Sequence, residues 1–232
     1  MQPKISIILS TYNEAYIIEE TLASIFANLT NVEIVIVDDC STDGTPEKIK
    51  KFNDPRIKLF SRKSRGLASA FLLGLINTNG EVVGWFDSNM PKLFQKVPLM
   101  ISELQSNDLV ILSRYVSGGK DQRSNLRILS SKVINWICRL FLNNEIKDYT
   151  SSIFLMKRNN LNLAVPICYG HGEFFIEFLF NLKKNGSKIA EIPYTHTPDH
   201  EGMSKTANNI IRFLKLGLDY IIRILITRIR KN

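Results

Sequence analysis

The residues best placed to do chemistry in this 232-residue chain stand where apolar runs end. The run 34–37 stops at two adjacent carboxylates, Asp38 and Asp39; the turn-formers of CSTDGT and a third acid, Asp43, follow at once. The run 4–10 stops at TYNE, which spans Thr11 to Glu14, and the run 81–86 stops at Asp87-Ser88-Asn89. A further run, 109–113, ends in Ser113-Arg114-Tyr115. In an open parallel sheet, ligands bind beyond the carboxyl ends of the strands. Acids at one strand end say little. Polar motifs at four such ends share one crevice and suit recognition of a polar ligand.

The elements that must position these motifs alternate regularly. Strands are expected at 4–10, 32–37, 56–60, 81–86 and 109–113, with helices at 14–28, 45–52, 66–77 and 92–105 between them. Such alternation predicts an α/β fold, a Rossmann-like, mainly parallel sheet flanked by helices. After Tyr115 the rhythm changes: helices are expected at 125–142 and 171–184, strands at 152–156 and 188–194. Residues 1–204 read as one domain with no linker inside it, and 205–232 as a basic amphipathic C-terminal helix. Along that helix Arg212, Lys215, Asp219, Arg223, Thr227 and Arg230 recur every three to four residues as one polar stripe, leaving a broad apolar face.

Composition narrows the partners. Residues 205–232 hold seven basic groups and one acid, so this helix carries +6 of the net +8. Basicity confined to one terminal helix, with few aromatics interleaved, argues against nucleic acid. It suits either a helix packed on its own domain with solvated arginines, or one lying on an anionic membrane surface or gripping a membrane-protein partner. The longest stretch without a charged residue or histidine, Gly66 to Gly80, has 15 residues, short of the roughly 18 apolar residues that a spanning helix needs. The N-terminus enters a strand without the apolar region of a signal peptide. Three scattered cysteines favour a reducing compartment. His196 and His200 are four apart, but Pro198 between them argues against a helical zinc pair.

Taken in series, the motifs resemble an inverting glycosyltransferase of family 2 with the GT-A fold, and within it the dolichyl- or polyprenyl-phosphate sugar transferases. The resemblance rests on TYNE, VDDCSTDGT, RGLASA, NGEVVGWFDSN, SRYVSGG, the segment 127–148, EIPY and HEGMSK. It implies that the strand-end acids receive the base and ribose of a nucleotide sugar, of GDP-mannose or UDP-glucose type. Tyr12, Glu14, Asp38 and Asp39 are the implied nucleoside contacts. Carboxylate oxygens accept hydrogen bonds from N–H and O–H groups, and a ligand that leaves them unpaired is rejected. Arg65 and Gly66 resemble the family's glycine-rich helix start, where an N-terminus with neighbouring cations suits a diphosphate; Arg62 is a second candidate cation, or a solvated surface residue. Asp43 is expected mainly to shape its turn. Asp87-Ser88-Asn89 takes the place of the family's Asp-X-Asp, which holds Mg2+ or Mn2+ against the diphosphate, so Asp87 and Asn89 are the implied metal ligands. Asn89 offers an oxygen without charge, and Pro91 stands where that branch commonly has Gln.

Transfer to a hydroxyl needs a general base, whereas a lipid phosphate is already an anion and needs cations to hold two phosphates together. The resemblance places Arg114, Arg127, Ser131, His200, Ser204 and Lys205 around an acceptor phosphate, with Asp87, Arg114 and Arg127 carrying catalysis. Asp148 is expected to orient an arginine or the sugar. The acceptor side departs from the pattern in two places: Ser152-Ile153-Phe154 replaces Gly-Phe-Arg, and His200 replaces an arginine. Two other readings stand beside this one. One is transfer to a saccharide hydroxyl in cell-surface glycan assembly, with Glu173 as base. The other is a non-catalytic nucleotide-sugar-binding scaffold. Many members of that branch carry C-terminal membrane spans; here the terminal helix is expected to act as a peripheral anchor at the cytoplasmic face of a membrane.

Overall fold

The computed structural model of the chain describes residues 3–167, 169–198 and 210–230. Three βα repeats and a fourth strand open the fold: β1 (Ile5–Thr11), α1 (Ile18–Asn28), β2 (Val32–Asp39), α2 (Thr45–Lys51), β3 (Ile57–Arg62), α3 (Leu67–Ile76) and β4 (Val82–Asp87). A 3-10 turn, Pro91–Lys96, leads into α4 (Val97–Glu103) and β5 (Leu109–Ser113). The remainder is β6 (Lys120–Asp121), α5 (Asn125–Phe141), β7 (Phe154–Lys157), α6 (Phe174–Lys184), β8 (Ile189–Pro193), β9 (Thr195–His196) and α7 (Ile210–Ile229). The sheet is seven-stranded, in the order β3-β2-β1-β4-β7-β5-β8. All its pairs are parallel except those of β7, which runs antiparallel between β4 and β5. The parallel α/β architecture is therefore as the alternation predicts. The antiparallel insertion, which separates β4 from β5, is not foreshadowed by it.

The central strands are covered on both faces, which is why they read as continuous apolar runs. Every residue of β2 is buried. Ile34 and Ile36 pack with Leu22 and Ile25 of α1 on one face, and Val37 with Ala68 and Phe71 of α3 on the other. Gly74 lets α3 lie directly on β1, because a Cβ there would come within 2.3 Å of Ile8 Cγ2.

Two helices differ from expectation. The first begins at Ile18, not at residue 14. Asn13 takes a left-handed φ of 54°, and the Glu14 amide donates to Thr45 Oγ1 at 2.9 Å. These hold TYNE in a turn, and the helix starts once that turn is complete. The helix expected over 92–105 splits into the 3-10 turn and α4, each with a proline in its first turn; a proline ring fixes φ and lacks the donor a continuous helix would need.

Register brings the motifs to one edge. Thr11 lies opposite Asp38, Ser10 opposite Asp87, and Asp39 opposite Arg62. Ser113 lies opposite Pro193 at the same end of the sheet. Among the described residues, no helix is long and apolar enough to cross a membrane.

Candidate active site

The paired acids serve different neighbours, because successive strand residues project to opposite faces. Asp38 is buried, and its carboxylate accepts from Thr11 Oγ1 at 2.8 Å, the Ser41 amide at 3.0 Å and Ser41 Oγ at 2.5 Å. It ties the end of β1 to the turn after β2. Asp39 turns towards α3, where it is paired with Arg62 Nε and with Nη2 at 2.9 Å and accepts the Gly66 amide at 2.9 Å. Arg62 also donates to Ser69 Oγ at 2.8 Å and to the Gly66 carbonyl at 2.6 Å. It is thus a brace between β3 and α3, not a solvated surface arginine. The structure spends the Gly66 amide, expected beside a diphosphate, on Asp39. Arg65 keeps its guanidinium over the Tyr12 ring, 3.4 Å from the centroid. Asp43 accepts from Thr45 Oγ1 at 2.6 Å and the Ala15 amide at 2.9 Å. Burial alone would raise its carboxyl, but these hydrogen bonds outweigh burial and hold it below its ordinary value.

Beyond β1, the Asp87-Ser88-Asn89 turn is fastened from beneath. Ser88 Oγ donates to the Ser10 carbonyl at 2.8 Å, and Thr21 Oγ1 donates to the Ser88 carbonyl at 2.7 Å. Asp87 and Asn89, on either side of the buried Ser88, stay partly exposed. One carboxylate and one amide oxygen fit a hard cation that takes its other ligands from phosphate and water. Among the described residues no cluster of three or more His, Cys, Asp or Glu forms a ready-made metal centre, so any ion here depends on what the ligand brings.

A second network lies past β5. Arg114 and Asp148 are both buried and form a two-pronged pair, Nε to Oδ2 at 2.8 Å and Nη2 to Oδ1 at 2.7 Å. Burial works against the arginine's charge, but the Asp148 carboxylate overrides it and raises the Arg114 pKa; Asp148 is lowered in return, against its own burial. Arg114 Nη2 also donates to Thr150 Oγ1 at 2.7 Å, which lies 2.9 Å from Ser131 Oγ and 2.9 Å from Asn135 Nδ2 on α5. Asp121 lies 3.7 Å from Arg114 Nη1 and is paired with Arg123 at 2.6 Å. Asp148 therefore orients an arginine, one of its two expected roles. Arg114 is held inside the network, where the sequence pattern had placed it on a phosphate. Ser131 joins the same network through Thr150, and Arg127 sits one turn before it, partly exposed. The Tyr194 hydroxyl is raised by burial and also by the charges of Asp148 and Asp87, so the Asp87 turn and this network are electrostatic neighbours. His200, Ser204 and Lys205 lie outside the described residues.

This edge belongs to a known group. The family model described as Glycosyl transferase family 2 matches residues 6–163. The chain belongs to glycosyltransferase family 2. Among curated relatives, a dolichol-phosphate mannosyltransferase of Pyrococcus furiosus is 33% identical over 221 residues, covering 90% of this chain and 60% of the relative. The chain thus spans well under two thirds of that protein's length. An undecaprenyl-phosphate mannosyltransferase of Micrococcus luteus is 26% identical and covers 88% of both chains. Two solved structures share the fold. One is a mannosyltransferase from Pyrobaculum calidifontis in complex with GDP-Man and Mn2+, with a TM-score of 0.65, 18% identity, and coverage of 100% of this chain and 66% of that one. The other is a glucosyl-3-phosphoglycerate synthase from Mycobacterium tuberculosis in complex with Mn2+, UDP and glucosyl-3-phosphoglycerate, with a TM-score of 0.69, 19% identity, and coverage of 99% of this chain and 81% of that one.

In this family 2 glycosyltransferase, α7 packs inside out. The reading of it as a helix packed on its own domain with solvated arginines does not describe the result. Its polar stripe faces the domain: Arg223 Nη1 donates to Glu177 Oε2 at 3.0 Å, Arg230 Nη1 to Glu177 Oε1 at 2.6 Å, and Thr227 is buried. Glu177 on α6 is itself buried, and a buried carboxylate requires paired cations. The apolar side is left outward, with Leu214 at 65%, Leu218 at 55% and Ile229 at 77% exposure. The residues missed by sequence reading are ones that neutralise buried charge: Asp121, Arg123 and Glu177. Of these only Glu177 carries a visible signal, as a lone acid inside FFIEFLF.

Proposed function

We propose that this protein is an inverting glycosyltransferase that moves a sugar from a nucleotide sugar, of GDP-mannose or UDP-glucose type, to a polyprenyl phosphate at a membrane surface. The observation that carries this reading is the meeting, at one sheet edge, of an acid-rich half and an arginine-centred half. The strand ends of β1, β2 and β4 supply the first, with Tyr12, Glu14, Asp38, Asp39 and Asp87. The Arg114–Asp148–Thr150–Ser131 network supplies the second. The names of the Pyrococcus and Micrococcus relatives agree with it.

In the proposed reaction a phosphate oxygen of the acceptor attacks the anomeric carbon opposite the leaving diphosphate. The new C–O bond forms as the old one breaks, the nucleoside diphosphate leaves with the electron pair, and the configuration inverts. No base is needed, since the nucleophile is an anion. Arg65 stands beside the diphosphate at the Tyr12 ring. Arg127 and Ser131 meet the acceptor phosphate, and Arg114, locked by Asp148, positions Thr150 and Ser131 beneath it. Asp87 and Asn89 would hold a divalent cation, whose positive charge would stabilise the diphosphate. For a hydroxyl acceptor the base would be Glu173, but its Oε2 already accepts the His171 amide at 2.9 Å, the bond of a helix-start acid.

The membrane part of the proposal rests on two helices. α5 and α7 touch each other, and α5 turns Leu129, Trp136 and Leu140 outward, each more than 60% exposed. The exposed faces carry Lys132, Arg139 and Arg228, suited to anionic lipid at the cytoplasmic face. The segment 205–232, whose described part is α7, is on this reading a peripheral anchor of the domain 1–204. The deciding experiment is turnover with a short polyprenyl phosphate across a panel of nucleotide sugars, with Mg2+ or Mn2+. Transfer to glycans but never to the lipid phosphate would reverse the acceptor, and nucleotide binding without any turnover would leave only a scaffold.

A further inference from the structure

A hollow of about 480 Å3 lies between the start of α3, the turn ahead of α6, and one side of α7. Its first wall holds Arg65, which also lies over Tyr12 and so joins the hollow to the proposed donor side. Its second holds His171 and Glu173. The third wall comes entirely from the terminal helix: Lys215, Asp219, Ile222, Arg223 and Ile226.

The chemistry of this space is lopsided. Arg65 and Lys215 have no carboxylate partner among the described residues. Arg223 is only half satisfied. Its Nη1 is on Glu177, while its Nε is buried and meets no acceptor among the described residues. A buried donor without an acceptor costs free energy that a bound anion would recover. Against these cations stand Asp219 and Glu173, the latter already engaged by the His171 amide. The α7 wall is also apolar at Ile222 and Ile226, which continue outward into the exposed Leu218, Leu225 and Ile229. A ligand that satisfies both parts carries an anionic head and an apolar chain.

The wall is fixed in place. Tyr220 of α7 seats its hydroxyl against Gly172, where a Cβ would come within 2.5 Å of Tyr220 Oη. The same tyrosine is within electrostatic reach of Glu173 on one hand and of Arg114 and Arg123 on the other. The hollow and the arginine-centred network are therefore neighbours across Tyr220.

We propose that this hollow is a docking subsite from which an amphiphilic phosphomonoester passes to Arg127 and Ser131, with Lys215 and Arg223 on its head group before transfer and Ile222 and Ile226 along the first part of its chain. This rests on the reading that the acceptor is a polyprenyl phosphate, and it makes α7 a wall of the acceptor site as well as an anchor. Phosphate alone and an apolar chain alone each fill only one part.

The test measures binding without nucleotide, by calorimetry on the whole chain, using a ten-carbon prenyl phosphate, the matching prenyl alcohol and inorganic phosphate. Lys215→Ala is expected to weaken the prenyl phosphate at least about tenfold, the loss of one charge-assisted contact, with Lys215→Arg restoring it. Ile222→Ser should weaken the prenyl phosphate several-fold and leave inorganic phosphate unchanged. The nucleotide-sugar KM should stay put in all three variants. Wild-type binding and turnover of prenyl phosphate by both Lys215→Ala and Ile222→Ser would overturn the subsite and leave the proposed function standing. Inorganic phosphate binding as tightly as the prenyl phosphate would overturn the amphiphile. A wild-type protein that neither binds prenyl phosphate nor glycosylates it would sink the functional reading itself.

Discussion

The two halves of the site are held by different forces. On the proposed donor edge, hydrogen bonds join strand ends that are already neighbours in the sheet, as Thr11 joins Asp38 across β1 and β2. Its chemical groups, Tyr12 and Asp87, stay partly open. On the proposed acceptor flank, charges are buried whole: Arg114 and Asp148 at the centre, and Glu177 under α7. A ligand-facing edge built on turns can adjust to its ligand. A flank built on buried ion pairs holds one geometry, since removing either partner strands a charge in the interior.

That difference predicts unequal losses. Asp148→Ala should have the largest effect, destabilising the protein by about 3–5 kcal/mol, because Arg114 would remain buried without its counter-charge. Asp39→Ala should cost only about 1–3 kcal/mol, since Arg62 keeps its bonds to Ser69 and Gly66. Denaturant unfolding of the two variants checks this, and equal losses would erase the distinction. Asp87→Ala should do the reverse, leaving the unfolding midpoint in place while turnover falls by about 100-fold or more, as when a charge-stabilising group is lost. Asn89→Asp should lower the Mg2+ or Mn2+ concentration needed for half-maximal turnover, because it restores the missing charge.

The contrast also explains what could be read in the sequence. The donor edge is legible because burial on both faces writes an apolar run, and the point where the run stops marks the strand end; Asp38, Asp39 and Asp87 are found that way. Which face each acid takes is lost, because it depends on whether Ser41 or Arg62 is the nearer donor. The acceptor flank is mostly illegible. Arg114 pairs with a residue 34 positions away, and Arg223 with one 46 positions away. Nothing local announces either pairing. The polar stripe of α7 is read correctly as a stripe, while the reading that packs its apolar face on the domain and leaves its arginines in solvent is overturned, since periodicity fixes which residues share a face and not where the face points. β7 is missed as an insertion for a similar reason: its position between β4 and β5 is set by register with residues 82–85 and 109–111.

Glu177→Ala tests the inverted helix. It should cost about 1–3 kcal/mol, less than the Asp148 change, because Arg230 is nearly half exposed and keeps much of its hydration. The sharper readout is trypsin cleavage after Arg223 and Arg230, which should speed up in the folded protein as α7 loosens. Unchanged cleavage would show that Ile224 and Tyr220 alone hold the helix.

The smallest effect compares the two ends of a single strand. β2 begins with one acid and finishes with two. Glu33, near its start, is fully committed to structure: it accepts from Ser6 Oγ at 2.5 Å, the Asn79 amide, the Gly80 amide at 3.0 Å and Lys58 Nζ at 3.1 Å. Burial by itself would raise its carboxyl, but these donors prevail and take it from 4.5 to about 2. A carboxyl whose folded pKa is depressed gives stability that is complete above the unfolded value and is lost as pH falls through the folded one. Glu33 should therefore contribute fully at neutral pH and lose its contribution between pH 4.5 and about 2. Glu33→Gln should flatten that part of the acid-unfolding curve while the nucleotide-sugar KM stays unchanged. An unaltered acid limb would mean that the donors around Glu33 hold the unfolded chain equally well. A shifted KM would mean that the two ends of β2 are not independent, and that the donor edge is stiffer than its turns suggest.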